Sequence, residues 1–154
     1  MLMILSLSNM KVKCINNTGE FLRSYEYDHL RNEMLGRFGT TENSQYNEIT
    51  VGSEYLVMGI ITFKDYQAYL IDDEGFISSC PCQLFEITDD KVDGDWCFRL
   101  IDKEEDIYPF VQAITGYPEL CSDKNAYKNL IVEKDEEAER IYFKRKIESE
   151  NSLA

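Results

Sequence analysis

Cys80 and Cys82, one residue apart, and the carboxylates that follow at Glu86, Asp89, Asp90, Asp93 and Asp95 are the side chains of this chain best suited to chemistry. Thiolates close together could hold zinc, or cycle between dithiol and disulfide. Zinc sites, however, draw paired ligands from C-x₂₋₄-C knuckles, and thiol redox centres use C-x-x-C at a helix start. Cys80-Pro81-Cys82 meets neither spacing, and the other cysteines (Cys14, Cys97 and Cys121) are scattered. The single histidine, His29, has no second ligand near it in sequence. The thiols therefore read as scaffold, with no metal and no cofactor expected. In an extended segment Cys80 and Cys82 would share a face, with Pro81 on the other. Glycine is too sparse for a phosphate-cradling loop, and neither a nucleophile elbow nor the makings of a triad is present. Asp72-Asp73-Glu74 lacks the alternating spacing of a calcium loop. An enzyme is not expected.

The carboxylates carry a different message. The chain of 154 residues has a formal net charge of −13, with 44% hydrophobic and 29% charged residues. From residue 72 to 106 there are twelve acids against three bases, so this window holds −9 of the total. A field so concentrated disfavours nucleic acid, whose affinity comes from phosphate neutralisation. It favours a basic protein partner, because charge of this size steers association. Within the window Trp96 and Phe98 interleave with Asp93 and Asp95, and aromatic anchors amid charge suit protein interfaces. Asp72, Asp73, Glu74, Asp89, Asp90, Asp93, Asp95 and Trp96 are the expected partner-binding residues. The competing reading leaves the acids to solubility and Trp96 to the core.

The elements that must position these residues form two regimes. Val12 to Ile15 reads as a strand, closed by Asn16-Asn17-Thr18-Gly19. Tyr25 to Leu35 offers Leu30, Met34 and Leu35 at helical spacing inside a long excursion over residues 17–48. Residues 49–63 are β-branched and aromatic, with glycines able to bend a strand. Asp73-Glu74-Gly75 then forms a hairpin turn between Tyr69-Leu70-Ile71 and Phe76-Ile77, and QLFEI and DWCFRLI supply further strands. Beyond Asp102 the spacing of Ile107, Phe110, Val111 and Ile114 predicts a helix, ended by Gly116-Tyr117-Pro118. Tyr127, Leu130 and Ile131 mark a second. EKDEEAERIYFKRKIE predicts a third, with acids first and bases last, complementing the helix dipole. The expected class is α+β, mainly β, in a single domain over 1–154. It divides into a possible extension over 1–9, a small barrel over 10–101 and a helical part over 102–148. MLMILSLSN is too short to span a membrane and lacks a basic n-region. No membrane association and a cytoplasmic location are expected.

KCINNTG, ITVGSEYLVMGI, YLIDDEG, PCQLFEITDD and a following Trp96 together resemble a small bacterial SH3-like barrel, over about residues 10–98. GYPEL and EEAERIYFKRK in the tail resemble the same group. Proteins of this kind are similar to immunity proteins carried beside polymorphic or contact-dependent toxins. The resemblance implies a stoichiometric inhibitor whose acidic surface caps a cognate basic toxin, expected to be a nuclease. Two other readings stand beside it. One is an SH3-like interaction module with no toxin partner; the other is a hydrolase using paired carboxylates.

Overall fold

The computed structural model describes residues 9–151, so the expected extension over 1–9 lies almost wholly outside the described residues. Among these residues eight strands form two antiparallel sheets, with α-helices mostly late in the chain, an α+β architecture. The three-stranded sheet has the order β2-β1-β6, from β2 (Glu54–Leu56), β1 (Lys11–Cys14) and β6 (Phe85–Asp89). The five-stranded sheet has the order β5-β4-β3-β8-β7. Its strands are β3 (Gly59–Phe63), β4 (Gln67–Asp73), β5 (Phe76–Pro81), β7 (Cys97–Leu100) and β8 (Val111–Gly116). The β-branched run from residue 49 thus bends rather than running straight. Its first part pairs with β1 and its second with β4 and β8, across a break at Val57-Met58.

The five-stranded sheet is buried on both faces at its centre, which is why β4 reads as a continuous apolar run. One face, through Tyr69 and Ile71, packs on Val12, Cys14, Tyr55, Leu84 and Phe85. The other, through Ile61, Leu70 and Ile114, packs on Leu120, Leu130 and Tyr142 from the C-terminal helical segments. The β4–β5 hairpin forms with Glu74 and Gly75 at its tip, both at positive φ.

Three expectations need correction. Residues 107–114 are not a helix, because Val111–Gly116 is the strand β8 between β3 and β7. The register shifts between Thr62 and Phe63, so that Phe63 faces Val111 and Gln112 is extra. That bulge turns Val111 to the side of Ile114, and both join the same core. A strand with one inserted residue therefore mimics helical spacing. Tyr25–Leu35 is likewise not a helix. The helix α1 comes earlier, at Gly19–Arg23, capped by the Thr18 hydroxyl accepting the Phe21 N–H. A single 3₁₀ turn, Asp28–Leu30, follows. Met34 and Leu35 are exposed, so no core rewards a helix there. Buried Glu26 instead accepts the N–H groups of Tyr27 and Arg37 and folds the excursion back on itself. Finally, Cys82 does not continue the strand of Cys80. It opens a 3₁₀ turn, Cys82–Leu84, while Pro81 ends β5. The tail does provide α2 (Pro118–Ser122), a π-helical turn at Lys128–Val132 and α3 (Glu136–Glu150), the last capped by Asp135.

All five cysteines are free thiols. Cys14, Cys80 and Cys121 are buried, and Cys97 is exposed. Burial raises the Cys80 thiol to about 12 and that of Cys82 to about 11. Thiolate is the reactive species, so a maleimide at mildly alkaline pH should modify Cys97 quickly and Cys80 only after unfolding. Equal rates for Cys97 and Cys80 would contradict this placement.

Candidate functional site

The eight expected contact residues divide by what holds them. Asp72 is 8% exposed and fully engaged. Its Oδ1 accepts the Lys146 ammonium at 2.8 Å and the Tyr142 hydroxyl at 3.0 Å, and its Oδ2 accepts the Gly75 N–H. It ties the β4–β5 hairpin to α3 and is not a surface for a partner, which corrects the expectation made for it. Asp73 is half-buried and accepts from the Thr50 and Tyr55 hydroxyls at 2.8 and 2.7 Å. Glu74, at the hairpin tip, is exposed.

The other five lie in β6 and the β6–β7 connection. Asp89 and Asp93 are half-buried and shape the chain there. Asp89 accepts the Lys91 N–H at 3.0 Å. Asp93 accepts the Asp95 N–H at 2.8 Å through one oxygen and the Ser149 hydroxyl at 3.2 Å through the other. These are short-range carboxylate turns, as expected of Asp in tight connections. They leave Asp90 and Asp95 exposed. Trp96 is half-buried, packed against the first core.

The connection and α3 enclose a cleft of about 560 Å³, lined by Asp93, Asp95, Trp96, Tyr117, Arg145 and Glu148 among others. Arg145 is the strongest cation in it, yet its charge is already engaged. Its Nε and Nη2 donate to the two oxygens of Glu119 at 2.8 and 2.9 Å, and Glu148 lies at 3.3 Å. Those hydrogen bonds hold the Glu119 carboxyl below its ordinary range. With that pair neutral, Asp93, Asp95 and Glu148 against Lys91 leave the cleft anionic. A cation presented from outside would meet these carboxylates beside the half-buried Trp96.

The sequence reading assembled one wall of this cleft and missed the other. Arg145, Glu148 and Ser149 stand three and four residues apart on α3, the spacing that puts side chains on one helical face. That spacing was the available signal. Among the described residues no group of three or more His, Cys, Asp or Glu is placed to hold a metal ion. No helix among them is long and apolar enough to cross a membrane.

Comparison of the chain with protein-family models, with curated proteins and with solved structures gives no match.

Proposed function

We propose that this protein is an immunity protein, a stoichiometric inhibitor that covers a basic toxin, a nuclease, with its acidic surface. The observation that carries the reading is the placement of the acids. Glu74, Asp90 and Asp95 face outward, and the cleft beside Asp95 offers a half-buried tryptophan as an anchor. A nuclease keeps a cationic surface for its polyanionic substrate, and an anionic cap is complementary to it.

The path of the chain supports the SH3-like part of the reading. β1 leads into the long excursion, a bent strand pair β2–β3 follows, and β4 and β5 form a hairpin. One 3₁₀ turn then returns the chain as β6 beside β1. Both sheets are thereby joined at two corners, the bend at Val57-Met58 and the turn at Cys82–Leu84, in the manner of a small barrel. On this reading β7, β8 and the tail helices are additions to it.

A second cleft, of about 410 Å³, favours the alternative of an interaction module with no toxin partner. Four of its lining residues are aromatic, Phe38, Phe63, Tyr66 and Phe110, beside Arg37, Lys64 and Asp65, and Phe110 is 78% exposed. Co-expression with a toxin-sized reading frame encoded beside this chain separates the two. The expected result is rescued growth and a one-to-one complex that survives purification. Loss of viability with no complex would remove the immunity reading.

A further inference from the structure

Among the described residues β7 is a sheet edge, paired only with β8 at the end of the five-stranded sheet. The opposite edge, β5, is guarded. The Lys134 ammonium donates to the Ile77 carbonyl at 2.6 Å and lies 4.5 Å above the Phe76 ring. β7 is short, four residues, and carries no proline, bulge or lysine. Its one cation, Arg99, is turned against Glu105 and is largely buried.

Its backbone is also oriented outward in a definite pattern. Ile101 donates its N–H to the Gln112 carbonyl at 3.0 Å, opposite it just beyond the strand. Antiparallel ladders alternate, so Arg99 and Cys97 are the residues bonded to β8. The amides and carbonyls of Phe98 and Leu100 then point away from β8. No hydrogen bond from outside the β7–β8 ladder reaches them among the described residues. Their side chains share a face and are 63% and 71% exposed, the profile of a strand prepared for a neighbour.

We infer that β7 takes a ninth strand from another protein, an extended basic segment with apolar residues at alternate positions. The charge of the edge selects that occupant. Asp93 and Asp95 precede β7, Asp102 and Glu104 follow it, and Lys103 is the base among them. A second copy would bring two such flanks together, with −13 on each chain. A lysine-bearing strand meets opposite charge at both ends, while its apolar face covers Phe98 and Leu100. This deepens the proposed function by naming how a basic partner is gripped, and rests on that reading for the partner's biology.

The probe is a capped peptide of ten residues alternating lysine and valine, with a second version N-methylated at every other amide so that the charge is kept. Binding is followed in low salt by amide exchange of the full-length protein. The peptide should slow exchange at Phe98 and Leu100 at least tenfold. The N-methylated peptide, and the variant F98K/L100K with the plain peptide, should each bind at least tenfold more weakly. Circular dichroism of that variant reports whether it is folded, and L100K alone is the milder substitute. Equal binding of the two peptides would show attraction by charge alone and overturn the inference. So would a dimer of the free protein that F98K/L100K abolishes, which would assign the edge to a second copy. So also would slow exchange at β7 in the free chain that deletion of residues 1–8 makes fast. No toxin enters this test. A negative result here beside a protective complex in the co-expression test would therefore remove the strand docking and leave the immunity reading standing.

Discussion

Replacing Tyr142 by alanine should cost about 3–5 kcal/mol, the usual range for deleting a fully buried aromatic ring. Tyr142 is 0% exposed, and its ring meets those of Tyr117 and Phe143 edge-on at 6.2 and 5.0 Å. For a chain of this size the midpoint of thermal unfolding should fall by roughly 10 °C or more. The milder Tyr142→Phe separates ring from hydroxyl. It removes one donor to Asp72 and leaves Lys146 and the Gly75 N–H in place. Its cost should be about 1–3 kcal/mol, the price of an incompletely satisfied buried carboxylate. The hydroxyl also gives a pH signature. Burial holds the Tyr142 phenol well above its ordinary value of 10.0, and the Asp72 charge adds to the effect. A group whose pKa is raised on folding adds stability that is complete below its unfolded value and declines as pH rises past it. Wild-type stability should therefore fall above about pH 10, and less steeply in Tyr142→Phe. Chemical denaturation at neutral and alkaline pH measures both. An unchanged midpoint for Tyr142→Ala would contradict the packing of α3 on the five-stranded sheet.

The second large effect falls on association. Reversing Glu74, Asp90 and Asp95 to lysine changes the exposed charge by six units without touching the Asp89 and Asp93 turns. Electrostatic steering contributes about 10–10³ to association rates, so a loss on the order of 10² in the rate toward a basic nuclease is expected at low salt. Stability should change by less than about 1 kcal/mol, because exposed charges contribute little to folding. A stable, folded variant that associates as fast as wild type would reduce these acids to a solvated surface. Glu74→Lys alone locates the contact, since it sits on the β4–β5 hairpin and the other two on the β6–β7 connection.

How much of this the sequence disclosed depends on which physical signal each element carries. The hairpin at Glu74-Gly75 and helix α3 were legible because turn chemistry and charge order are local. β8 was not, since a bulge opposite Phe63 gives it the three-residue spacing of a helix, and only its neighbours β3 and β7 show otherwise. The excursion turned on Glu26, a buried carboxylate whose partners lie up to eleven residues away. For the site, the acids of the β6–β7 connection were legible by charge. That Asp72 is buried was not, because Tyr142 and Lys146 reach it from seventy and seventy-four residues on. The edge at Phe98 and Leu100 was invisible for the same reason. An edge is defined by what fails to pair with it.

The most direct measurement is the association rate with the proposed partner, a basic nuclease, taken across ionic strength. An acidic surface that captures a cationic one should associate at about 10⁸ M⁻¹s⁻¹ or faster in low salt. The rate should drop steeply toward physiological salt, where the screening length shrinks to about 8 Å. A slow rate that does not change with salt would contradict capture by the acidic surface.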